Sequence, residues 1–133
     1  GIRDQPRSRG LGDVYKRQVY LNGILLATFR PNDGLLALTI EGARRLLRAL
    51  PPPKMRVVVD GKPSRLVAEG RDVQARWVRS ADLDIRPGDE VLVVDPRDEL
   101  LAVGRAVLSG GEMLSFKVGL AVKVRRGAGV EEA

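Results

Sequence analysis

The sequence predicts an α+β chain: a small, partial α/β unit followed by a β-barrel-like domain with short helices. Three observations point to it. Short valine-rich runs recur at regular spacing from Met55 onward, set apart by Asp-Gly, Pro-Gly and Asp-Pro turns. Helical periodicity is confined to brief stretches, the clearest at 40–50. The length of 133 residues, 44% of them hydrophobic, suits one compact domain or a small domain with an appendage.

The first eighteen residues, GIRDQPRSRGLGDVYKRQ, show neither period and are mostly polar residues, arginine and glycine. The string resembles the adapter-derived translation found at the ends of predicted proteins from environmental assemblies. It is expected to be a non-native, disordered leader, with the natural chain cut upstream of Val19. A basic arm that tracks phosphates is the functional alternative.

Residues 19–54 are expected to form the small unit. VYLNGILLATF at 19–29 reads as strand material broken by a turn at Gly23, and RPNDG at 30–34 as a turn cluster. LLALT at 35–39 is a second short strand whose Thr39 can cap a helix over 40–50. Ile40, Ala43, Leu46, Leu47 and Leu50 make one apolar stripe, with Arg44, Arg45 and Arg48 opposite. Glu41 can pair with Arg45, and Pro51–Pro53 stops the helix. About 35 residues bury too little to stand alone. This unit must lean on the domain downstream of it, or on something upstream.

Residues 55–127 are expected to form the barrel. MRVVVDG is a strand ending in an Asp-Gly turn. A short helix is expected within 64–72 and a strand over 73–79. RPGD at 86–89 has type II turn chemistry. EVLVV at 90–94 is a buried strand, DPRDE a tight turn, and LLAVGRAVL at 100–108 a long strand. Its interior Gly104 suggests a bulge or a close backbone approach. Strands 90–94 and 100–108 make the hairpin. SGGE at 109–112 matches a capping box that opens a helix over 110–117. GLAVKVRRG closes the domain, with Leu120, Val122 and Val124 on one face and Ala121, Lys123 and Arg125 on the other. The tail at 128–133 should fray.

Composition excludes much chemistry. Cys and His are both absent, so disulfides, thiolates, Cys/His zinc sites and histidine acid–base catalysis are ruled out for this sequence. That absence is permissive of a cytoplasmic setting. There is no apolar run near 18 residues, so no membrane span is expected, and the N-terminus shows no apolar signal-peptide core. Net charge is +6, but the first eighteen residues hold five basic against two acidic groups, and the other 115 hold 18 against 15. Such an excess matters only if the cations share a face.

DLDIRPGDEVLVVDPRDELLAVGRAVLSGGEML, followed by KVGLAVKVRRG, strongly resembles a PUA domain, the small pseudo-barrel of RNA-modifying proteins. The resemblance covers essentially all of 55–127 and implies a PUA-type mixed β pseudo-barrel. Upstream, GILLATFRPNDGLLALTIEGARRLL and RVVVDG look like the C-terminal region of the archaeal tRNA-guanine transglycosylases that make archaeosine. In that family the carboxylate nucleophile and zinc site lie on a barrel N-terminal to this region, and nothing here matches those parts. The resemblance implies a non-catalytic tRNA-binding tail that engages the acceptor end and helps place a D-arm base in a distant active site. It implies no cofactor or metal for this chain. Its partners would be tRNA and the catalytic domain or subunit of the same enzyme.

Carried over residue by residue, the RNA-facing stretch is EGRDVQARW with help from the closing strand: Gly70, Arg71, Gln74, Arg76, Lys123, Arg125 and Arg126. The family usually has an aromatic where this chain has Gln74 and a lysine where it has Arg76. Arg76 keeps the charge; Gln74 removes a stacking surface. Each residue has a plainer alternative. Arg71 and Arg76 can be solvated beside Glu69 and Asp72, and Gly70 can be a turn requirement. Lys123, Arg125 and Arg126 can guard an edge strand. Trp77 alternates with Val73 and Ala75, which turns it inward as packing rather than stacking. The Arg44, Arg45 and Arg48 face can contact tRNA or water. Asp89 and Asp95 read as turn residues, and the glycines of SGGEM as a cap, since no Walker-type lysine is present. A different class of function is docking onto a separately encoded catalytic subunit, motivated by the apolar side of 19–50.

Overall fold

The computed structural model describes residues 17–30 and 35–129. Residues 1–16 of the expected 1–18 leader, residues 31–34 of the turn and residues 130–133 of the tail lie outside them. Strands β1 (Arg17–Leu21), β2 (Ile24–Arg30) and β3 (Leu35–Leu38) form an antiparallel sheet in that order. β1 begins two residues inside the segment that sequence alone assigns to a leader, because Arg17 and Gln18 pair with Phe29 and Thr28. Asn22 and Gly23 turn the first hairpin with φ of 53° and 81°. Positive φ at both central residues is the two-residue turn whose twist matches that of its strands.

Helix α1 (Ile40–Ala49) comes at once after β3, and the Thr39 hydroxyl accepts from Gly42 N at 3.0 Å. The same hydroxyl lies 2.8 Å from the Leu25 carbonyl, so one side chain both starts the helix and ties it to β2. Glu41 and Arg45 pair at 3.6 Å as their spacing predicts.

Six strands make the second sheet: β4 (Arg56–Val59), β5 (Val73–Gln74), β6 (Val78–Ala81), β7 (Glu90–Val94), β8 (Leu100–Ala106) and β9 (Leu120–Gly127). Their order is β5-β9-β8-β7-β4-β6, with β4 and β7 parallel and every other pair antiparallel. The edge strands β5 and β6 are consecutive in the chain, joined by a single 3-10 turn over Ala75–Trp77. Three residues reach about 10 Å at most, so the sheet has to curl until its edges nearly meet. The result is a PUA-like α+β pseudo-barrel. Its interior holds Val57, Val59, Val73, Val91, Val93 and Val122, plugged by Val67 of α2 (Ser64–Ala68) and Met113 of α3 (Gly110–Ser115).

That corner overturns the expected strand at 73–79. Alternation ends at Gln74, because the chain must cross from one sheet edge to the other. Two smaller departures have similar causes. α3 stops at Ser115 rather than 117, and Phe116 caps it in extended conformation. Arg125 is the extra residue of a bulge in β9, between Val124 opposite Gly104 and Arg126 opposite Val103. The faces expected for the closing strand therefore hold only to Val124. Ala128 and Gly129, expected to fray, donate to the carbonyls of Leu101 at 2.7 Å and Ala68 at 2.8 Å.

The outer face of the barrel sheet is covered too. Leu92 and Val103 pack with Ala27, Leu38 and Ala43 in a second core shared with the small unit. Two arginines lock the two units together. Arg56, 1% exposed, bonds both carboxylate oxygens of Asp98 (2.9 and 3.2 Å), the Lys54 carbonyl (3.0 Å) and the Leu47 carbonyl near the end of α1 (2.8 Å). Arg125 donates to both oxygens of Glu90 and, at 2.8 Å, to the Leu38 carbonyl. Glu90 in turn accepts from Leu38 N at 2.9 Å. At Leu38 the free edge of β3 is thus satisfied by side chains, as buried backbone groups require.

Candidate nucleic-acid interface

The candidate surface is built around the stop of α2. Gly70 takes φ of 109°, a conformation that side-chain-bearing residues rarely adopt. Its N–H donates to Val67 O at 2.9 Å, and Arg71 N–H donates to Leu66 O at 3.0 Å. This paired bonding is the helix stop that glycine is selected for. The turn requirement at Gly70 is therefore met in full, and a Cβ there would find open space within 4 Å.

The stop abuts the closing strand. A Cβ on Gly127 would lie 2.3 Å from the Ala68 carbonyl oxygen and 2.8 Å from Gly70 N. Asp72 accepts from Val124 N at 2.8 Å and faces Lys123 Nζ at 3.6 Å. Val73 and Gln74 then pair with Val122 and Leu120. Residues 70–74 are held in this way alongside 120–127, and the two halves of the candidate surface, about 50 residues apart in the chain, become neighbours.

Within it the cations are not equivalent. Arg71 and Arg126 are exposed and make no ion pair among the described residues. Lys123 is exposed but shares Asp72. Arg76 stands exposed on the 3-10 turn with its guanidinium 6.0 Å above the Trp77 ring, at the outer reach of a cation–π contact. Gln74 is half-buried. Trp77 is half-buried against the barrel core rather than presented to solvent. Arg125 stands apart: its guanidinium is spent on Glu90 and Leu38, so the bulge that places it there removes it from the surface group. The sequence carries no local signal for this, since the partners are 35 and 87 residues away.

The α1 arginines lie on the small unit, with Arg44 and Arg48 exposed and Arg45 held by Glu41. Asp89 and Asp95 are turn residues, accepting from Arg86 N at 2.9 Å and from Arg97 N and Glu99 N at 2.8 and 2.9 Å. A cleft of about 310 Å³ between the two units is lined by Asp82, Asp84, Asp89, Glu90 and Arg105 among others. Asp82, Asp89 and Glu90 there are engaged by backbone N–H groups or Arg125. Among the described residues no cluster of His, Cys, Asp or Glu is arranged to hold a metal, and no helix is long and apolar enough to cross a membrane.

Comparison with known proteins bears on the two units of the fold. The PUA domain model matches residues 55–128, and that of the patch-forming domain C2 of tRNA-guanine transglycosylase matches 16–53. The tRNA-guanine(15) transglycosylase of Thermococcus kodakarensis is 57% identical over 111 residues, which cover 84% of this chain and 19% of the relative. The chain thus spans about a fifth of the length of such relatives. A hypothetical protein from Pyrococcus horikoshii superposes with a TM-score of 0.71 at 30% identity, over 90% of this chain and 72% of its own. A conserved PUA domain protein from Thermoplasma acidophilum gives 0.66 at 27%, over 87% and 72%.

Proposed function

Because the chain belongs to the PUA domain family, we propose that it is a non-catalytic RNA-binding module that binds tRNA. In this reading it is the tail of an archaeal tRNA-guanine transglycosylase of archaeosine biosynthesis, gripping the acceptor end in the cytoplasm. The catalytic domain or subunit of that enzyme is its second partner. The observation that carries the reading is the juxtaposition of 70–74 with 120–127, which puts Arg71, Arg126 and Lys123 on neighbouring segments beside an unobstructed glycine. Arginine suits this task because its planar fork matches phosphate.

Counterion release makes binding to phosphates steeply salt-dependent. Arg71→Ala combined with Arg76→Glu should weaken tRNA binding by about tenfold at low salt, a loss of about 1.4 kcal/mol. It should also flatten the plot of log affinity against log salt by about 0.9 for each duplex phosphate no longer neutralised. Fluorescence anisotropy with end-labelled tRNA reads both quantities. Unchanged affinity and slope would place the interface elsewhere.

A compatible second reading, docking onto the catalytic partner, is favoured by the tip of the first hairpin, where Tyr20, Leu21 and Ile24 are exposed together. Leu21→Asp with Ile24→Asp should abolish co-elution with that partner on gel filtration while sparing tRNA affinity. Co-elution that survives the pair would end this reading.

A further inference from the structure

We propose that Phe116 is a stacking platform for an unpaired RNA nucleotide, with Lys117 and Arg76 neutralising the phosphates on either side of it. The proposal rests on the RNA-binding reading and extends it to a loop outside the Gly70 surface.

α3 ends one residue before Phe116, whose N–H donates to Glu112 O at 2.8 Å. Residues 116–119 then form an exposed loop before β9. Phe116 is 45% exposed and Val118 75%, and Leu114 beside them 44%. Phe116 is the most exposed aromatic among the described residues. The loop is pinned to the candidate interface by backbone bonding: Ala75 N donates to Gly119 O at 2.8 Å, and Leu120 pairs with Gln74. It therefore sits beside the 3-10 turn that carries Arg76 and Trp77.

Charge decides what such an apolar loop is suited to meet. Lys117, Arg76 and Arg79 are exposed and make no ion pair among the described residues. Two acids on the adjoining segments are already engaged. Glu112 accepts from Ser109 N at 2.9 Å, and Asp72 holds Val124 N and Lys123. An aromatic ring set among unpaired cations matches a single nucleic-acid strand, where each base offers a π-face and each phosphate a charge. The nucleotide must be unpaired, because a base inside a duplex already stacks on its neighbours. Gln74, at the adjoining strand position, has no ring to offer, and Trp77 is half-buried against the core.

The test uses the full chain with two RNA hairpins, one blunt and one ending in a four-nucleotide 3′ tail that carries 2-aminopurine. The wild-type chain should bind the tailed hairpin about tenfold more tightly, with a change in 2-aminopurine emission. Phe116→Ala should abolish both the preference and the signal and leave the salt slope intact, since the phosphates keep their cations. Phe116→Tyr should keep both; Phe116→Leu, apolar but without a ring, should not. An unchanged thermal midpoint shows that the exposed site carries no fold, and the Tyr–Leu contrast decides the matter even if alanine perturbs folding. The proposal is overturned if Phe116→Ala keeps the tail preference, if it weakens both hairpins equally, or if leucine substitutes for phenylalanine, the mark of a protein-docking patch. Equal binding of both hairpins by wild type removes the stacking role and leaves the RNA-binding reading standing. Failure to bind either removes both.

Discussion

Glu90→Ala should cost about 3 kcal/mol of stability, the loss typical of breaking a buried charge pair from one side. The Glu90 side chain is 4% exposed and Arg125 34%, so the guanidinium left behind is only partly rescued by water. Leu38 N–H loses its acceptor as well, a further penalty of the order of 1 kcal/mol. Urea unfolding should show the midpoint falling at constant slope. Replacing both partners, as Glu90→Met with Arg125→Leu, should recover part of the loss by removing the stranded charge. Recovery must stay incomplete, because both polar groups of Leu38 would remain without partners. Full recovery, or a single-variant loss below about 1 kcal/mol, would show that water satisfies the β3 edge and that the pair does not clamp the two units.

Gly104→Ala should be comparably damaging, about 3 kcal/mol, at the upper end for overpacking. An added Cβ would stand 2.3 Å from the Lys123 carbonyl oxygen and 2.9 Å from Val124 Cα. All of these are backbone atoms of a paired strand, so no rotamer change can yield. The β9 bulge is opposite this residue, so relief would mean shifting the register that seats Arg125. Thermal unfolding of the variant should show a midpoint lower by roughly 10 °C, scaling from domains of this size. A midpoint within about 2 °C of wild type would mean that the two strands separate there at little cost.

Gly104 also marks what is readable in the sequence. A glycine inside a valine run has few explanations, and both that it suggests, a bulge and a close approach, are present at one place. The same holds for features whose cause lies within a few residues. Thr39 before an amphipathic stretch, Ser109 three positions before Glu112, and the Asp-Pro turn between two apolar runs each fold as they read. The features that escape the sequence depend on contacts made across the chain. The strand expected at 73–79 alternates correctly until the barrel needs a corner, and the need for a corner is a property of six strands together. β1 starts at Arg17 because β2 offers it a partner, not because its residues announce a strand. Among the candidate site residues, Gly70, Arg71 and Arg126 stand exposed on adjoining segments. Arg125 is recruited into the fold by Glu90 and Leu38. Phe116 is hidden in the sequence by a helix expected to run two residues longer than it does.

The second core, where Leu92 and Val103 of the barrel meet Ala27, Leu38 and Ala43, has a mechanical consequence. Two family models divide this chain near residue 54, yet no joint exists there. Apolar side chains, Arg56 and the Glu90–Arg125 pair all cross the line. The boundary belongs to descent, and the molecule behaves as a bracket with two arms. A partner proposed at the first hairpin and an RNA proposed at the Gly70 surface would thus be spaced by the shared core and by the bonds of Arg56 and Arg125 that span the two units.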